Sequence, residues 1–133
     1  ATGTSSEVLR HTTLAIFFTL ITLLVHSMTI FYLIGKVRAI RDAVIEGELV
    51  TDALSRVSAL RGRVFKSATV AMGLTMVTAI LGGGVDTGAI PAGVHATSAV
   101  LAVVSNFVVL RAVIEVLTES SRIVAEVNRK LGV

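Results

Sequence analysis

Apolar side chains fall into three long runs along the chain, at residues 12–34, 67–84 and 90–110, with polar and charged residues filling 36–66 and 111–131. At about 1.5 Å per residue, the uncharged first run is long enough to cross a hydrocarbon core of about 30 Å. The second run is shorter and diluted by Thr69, Thr75 and Thr78, which predicts a helix packed inside protein rather than bathed in lipid on all sides. The second and third runs stand back to back across 82–89, as a transmembrane hairpin does. A water-soluble bundle of this length has no place for an uncharged block the size of the first run.

Within the first run Thr12, Ala15, Thr19, Thr22, His26 and Thr29 recur at intervals of three and four, which places them on one helical stripe. A polar stripe on a membrane helix turns toward protein, not lipid. Val37, Ile40 and Val44 carry the same spacing onward, Gly47 interrupts it, and Thr51-Asp52 supplies a helix start. The pattern resumes at Val50, Ala53, Val57, Leu60 and Val64. Helix one is therefore expected to reach about residue 46, and helix two to begin near 51, forming a helical hairpin over 36–66. In the third helix Ala92, Ala96, Ala99, Val103, Asn106, Leu110, Val113, Leu117, Ser120, Val124, Val127 and Leu131 form a candidate seam in steps of four and three, with Gly132 as its stop. The alanines permit close backbone approach, and a seam Asn commonly fixes register through an interchain hydrogen bond, so Ala92, Ala96, Ala99 and Asn106 are the candidate packing and oligomer residues. In the turn, Gly82, Gly83, Gly84 and Gly88 are expected to take unusual backbone angles. Asp86 is expected to cap the turn, and Pro91 to occupy the first turn of helix three.

The fold class is then all-α: one integral membrane domain of three transmembrane helices with helical extensions forming a coiled-coil-like bundle. A composition that is 53% hydrophobic, and a mean hydropathy of +0.85, fit that class. The net charge of +3 matters less than where the charges lie. Lys36, Arg38, Arg41, Arg56, Arg61, Arg63 and Lys66 sit between the first two runs, and Arg111, Arg122, Arg129 and Lys130 follow the third, whereas only Arg10 precedes the first. The positive-inside rule puts 36–66 and the C-terminus in the cytoplasm and the N-terminus and 82–89 outside, in a bacterial-type inner membrane. Most acidic residues share those basic segments, which argues for a salt-bridged surface against lipid headgroups rather than a nucleic-acid interface. Lys36, Val37 and Arg38 stand where a signal-peptide cleavage site would need small residues, so the first run is read as a retained span. The absence of cysteine removes disulfides and thiolate metal sites.

Candidate chemistry rests on few residues. His26 and His95 are the candidate cofactor ligands, with haem b as the tempting group. On this topology they lie about 20 Å and about 7 Å below the outer boundary, which disfavours one haem held by both within a chain. The simpler role for His26 is a neutral imidazole bonded to a threonine of helix two, with Thr75 the best match in depth. Asp86, His95 and His11 fall near the outer boundary as a candidate metal or proton-sharing cluster. The glycines of the turn lack the ending of a phosphate loop. No nucleophile–base arrangement or paired carboxylates are present, so no enzyme is expected. The layout is similar in topology to the ExbB/TolQ proton-channel subunits, a likeness that carries over no site residue.

Three functions fit this reading. The first is a non-enzymatic assembly subunit of an inner-membrane complex or homo-oligomer. The second is a haem-, quinone- or proton-handling subunit of a membrane redox complex. The third is a small oligomeric channel lined by Thr19, Thr22, His26 and Thr29.

Overall fold

A computed structural model describes residues 5–132. Three helices account for nearly all of them: α1 (Ser5–Glu46), α2 (Ala53–Asp86) and α3 (Ala92–Leu131). At 42, 34 and 40 residues they measure about 63, 51 and 60 Å along their axes. Each carries a segment long and apolar enough to cross a membrane. Large apolar side chains such as Phe18, Leu24, Phe31, Ile80 and Phe107 point outward, which in water would form an aggregating surface and in lipid is the expected one.

The loop over 47–52 closes one end, which also carries most of the charge. The loop over 87–91 closes the other. At the charged end Val37 and Ile40 of α1 meet Ala53 and Val57 of α2 and Ile123 and Val127 of α3. One level on, Leu33, Val64, Ala112 and Val116 form a second layer, and Ala68, Ala71 and Val109 form a third. The layers shrink from aliphatic at the charged end to alanine-rich in the third. Beyond it the packing thins: no residue of 5–25, 72–86 or 92–101 is buried. α2 packs along both neighbours, while α1 and α3 barely touch.

The packing seam of α3 keeps Ser120 and Val127 of the expected stripe and elsewhere lies one residue to its N-terminal side. Ala102, Val109, Ala112, Val116, Ser120, Ile123 and Val127 are buried, while Val103, Leu117 and Leu110 are exposed, Leu110 by 53%. Both stripes are apolar, so hydropathy does not choose between them. Ala102 and Ala112, in place of Val103 and Val113, let α3 approach α2 more closely, and packing chooses them. Ser120 is fully buried and returns its hydroxyl to the carbonyl of Leu117, so it fits the seam without an orphaned polar group.

The glycines of the tip also differ from expectation. Gly82, Gly83 and Gly84 are helical, within α2, and only Gly88 takes a left-handed conformation, at φ 76°. The space above the helical glycines is what matters: a Cβ on Gly82 would lie 3.1 Å from the ring of His95, and one on Gly84 only 2.5 Å from the side chain of Ile90. Asp86 is the last residue of α2, not a cap for α3, and Pro91 is the N-cap of α3 rather than its first turn.

At the charged end Arg56 ties α2 to α3. Its guanidinium donates to Glu119 at 2.5 Å and to Glu126 at 3.0 Å, two carboxylates spaced two turns apart. The hydrogen bond from Arg56 holds both carboxyls below their usual range, with Lys130 adding to the effect on Glu126, and the pair raises Arg56 in turn. Because the folded-state values are lowered, this contribution is complete above the unfolded carboxylate value of about 4.3 and is lost as pH falls through the folded value. Thermal unfolding followed by circular dichroism is therefore expected to hold steady from pH 8 to pH 5.5 and to weaken on further acidification. Arg56→Met should flatten that acid slope. An unchanged slope in the variant would show that the network plays no part in it.

Candidate functional site: an amphipathic cleft beyond a polar tie

Where the third packing layer ends, the three helices are joined by side chains of one polar group from each. His26 of α1 lies with Nε2 2.7 Å from Oδ1 of Asn106 on α3. The Asn106 amide nitrogen donates to Thr75 Oγ1 on α2 at 3.2 Å and to the Ala102 carbonyl at 2.8 Å. Thr75 passes its own proton to the carbonyl of Ala71 at 2.8 Å. With both amide protons donating, Oδ1 must accept, so His26 Nε2 carries the proton. The direction of the chain is fixed from imidazole to amide to hydroxyl to backbone. The expected direct His26–Thr75 hydrogen bond is not formed; Asn106 stands between the two and bonds to each. The amide of Asn106, expected to bond between chains, is fully used within this one.

Beyond the tie the helices diverge around a cleft of about 550 Å³. α1 contributes His11, Thr12, Ala15, Thr19 and Thr22, and α2 contributes Thr78, Ala79, Gly82 and Asp86. α3 contributes His95, Ala99, Val103, Asn106 and Leu110. The α1 wall is the polar stripe read from the sequence, and the α3 wall is the inner half of the expected seam. Alanine and glycine make the room here. Gly82 also leaves room for the ring of His95 on α3. Ala92 and Ala96, the first members of that seam, are exposed at its end.

Polar groups gather at the mouth. Thr12 donates to Asp86 at 3.2 Å, joining α1 to α2. His11 and His95 stand edge to face with ring centres 6.3 Å apart. His95 Nδ1 lies 3.1 Å from the Thr78 carbonyl. A carbonyl only accepts, so this nitrogen carries the proton and, in the neutral ring, Nε2 keeps the lone pair. Thr78 Oγ1 is buried with no hydrogen-bond partner among the described residues. His11, Asp86 and His95 are brought to one mouth as expected, but among the described residues no three such side chains converge as metal ligands. Asp86 is engaged by Thr12, and His95 by the backbone of α2. His26 reaches α3 at Asn106, eleven residues and about 16 Å along the helix from His95. That separation does not suit a single iron held by both rings. Of the threonines expected to line a channel with His26, Thr19 and Thr22 face the cleft, whereas Thr29 returns its hydroxyl to Val25.

Sequence reading passed over Thr78 and Ala79. Thr78 differed in no visible way from Thr69, which simply bonds back to Phe65, and no local signal marks an alanine that faces a cavity. Compared with family models, characterised proteins and solved structures, the chain matches none. Its class therefore rests on fold and site: an all-helical protein of three potential membrane spans, tightly packed at its charged end and open at the other.

Proposed function

We propose that this chain is a non-enzymatic, three-span subunit of a bacterial-type inner membrane that holds a lipid-soluble molecule with a polar head, of the quinone class, in the cleft. With the basic segments on the cytoplasmic side, the cleft belongs to the outer leaflet. The observation that carries this reading is the divergence of the helices around an open cleft of about 550 Å³, within the usual size of a small-molecule site. Its walls are mainly apolar, with Thr19 and Thr22 along α1, and further polar groups gather at the two ends. A molecule with an apolar tail and a hydrogen-bonding head matches that distribution. No lysine or arginine lines the cleft, which favours a neutral head.

Ala79→Phe would fill the cleft while leaving His26, Asn106 and Thr75 of the polar tie in the sequence. Native mass spectrometry of protein extracted gently from its own membrane should find a bound lipid-soluble molecule. Its occupancy should fall about tenfold, equivalent to about 1.4 kcal/mol, in the variant. Equal retention by both proteins would overturn the reading. The same spectra bear on self-assembly, which the exposed small-residue face of Ala92 and Ala96 favours as a second role. A clean multiple of 13.9 kDa would support it, and a bare monomer would count against it.

A further inference from the structure

Resting on the cleft as a ligand site, we infer that its ligand carries a neutral hydroxyl head that donates a hydrogen bond to His95 Nε2, with its apolar tail lying along the alanine walls toward Asn106. The imidazole is oriented before any ligand arrives, because Nδ1–H is committed to the Thr78 carbonyl on the opposite helix. Gly82 permits that arrangement: the ring packs where a side chain on Gly82 would stand. Nε2 is therefore an acceptor in the neutral ring, and it has no partner among the described residues.

The neighbouring groups narrow the head further. Asp86 is at the same mouth and no lysine or arginine lines the cleft, so a fatty-acid carboxylate or a lipid phosphate would meet a like charge with only the imidazoles of His11 and His95 beside it. A carbonyl head would bring a second acceptor against the Nε2 lone pair. A hydroxyl supplies what that lone pair lacks. The base of the cleft offers no such choice, since Asn106 and Thr75 are already bonded to each other and to backbone. The hydroxyls of Thr19 and Thr22 on the wall can donate or accept and so do not choose between heads, whereas His95 Nε2 in the neutral ring only accepts and selects for a donor. A lipid-soluble phenol or hydroquinone has this chemistry. The corresponding quinone has the same ring and tail without the donor.

The test uses that pair of molecules on the full chain in lipid nanodiscs under anaerobic conditions, with an alkyl hydroquinone and its quinone as probes. The hydroquinone should bind about tenfold more tightly. It should also shift the Nε2 resonance of His95 in ¹⁵N spectra while leaving the protonated Nδ1 in place. His95→Phe keeps a flat ring and should erase the preference, and Ala79→Phe should weaken both probes. Equal binding of the two probes by the native chain would overturn the inference, as would a preference that survives His95→Phe or a His95 resonance that does not respond. If the probes bind without preference and Ala79→Phe still excludes both, the hydroxyl assignment fails while the cleft stands as a ligand site. If Ala79→Phe changes neither, both fall. The ¹⁵N measurement is made on the native chain and so decides the matter even where a variant does not fold.

Discussion

Asn106→Leu is expected to destabilise the chain by about 2 to 3 kcal/mol, more than any other single change near the cleft. The substitution removes three hydrogen bonds at once and leaves His26 N–H, on a residue only 8% exposed, facing an apolar side chain. An unsatisfied buried donor costs about 1 to 3 kcal/mol, and interhelical hydrogen bonds in membranes have been worth about 0.6 to 1.7 kcal/mol each. His26→Phe should cost less, about 1 to 2 kcal/mol, because Asn106 keeps both of its donor bonds. The double variant should be less damaging than the sum by about 1 kcal/mol, since once both partners are gone neither is stranded. Reversible unfolding in mixed micelles, followed by circular dichroism, gives all three values. A cost below about 0.5 kcal/mol for Asn106→Leu, or strict additivity of the pair, would mean that the three-helix tie is not what holds this level of the bundle together.

That tie also shows how far a sequence of this kind can be read. The three helices were legible because each apolar run is continuous and each break is marked: Gly47 follows α1, Thr51-Asp52 precede α2, and Gly132 follows α3. The polar stripe of the first span was legible too, since threonine and histidine stand out against leucine. Its direction, toward the rest of the protein, follows from the cost of facing lipid. What it meets was not legible. Thr75 was the natural partner for His26 by depth, yet depth alone does not reveal that an Asn two helices away in sequence comes between them.

The α3 seam, right at Ser120 and Val127, slipped by one residue elsewhere for a related reason. In a run such as Ala-Val-Leu-Ala-Val-Val every register finds apolar residues, so periodicity carries little information there. The stripe that reads as a packing seam becomes, over Ala99, Val103 and Leu110, the wall of a cleft. Small residues serve both purposes. They let helices touch, or they leave space when the helices diverge, and only the third dimension separates the two. The triple glycine misled in the same way, because a helix tolerates glycine when what it needs is room for His95 and Ile90 rather than a turn.

Ile123→Ala is the other change expected to have a large effect, about 3 kcal/mol, and its reason is different in kind. Ile123 is fully buried at the charged end among Val37, Ile40, Ala53, Val57 and Val127. If that end stands in water, truncation loses the transfer energy of the missing carbons and leaves a cavity as well. Within lipid only the packing is lost, because the unfolded side chain would rest among hydrocarbon tails. A matched pair isolates the difference. Val127 at the charged end is 2% exposed and Val109 beside the polar tie is 1% exposed, so Val→Ala removes the same atoms from equally buried sites. Val127→Ala should cost about 2 kcal/mol, and Val109→Ala about 1 kcal/mol. The ordering follows from the solvent that each segment would face on coming apart, not from anything visible in the packed state. Equal costs would put both residues in one medium, and the charged ends of the helices would then lie within the bilayer interface instead of projecting beyond it.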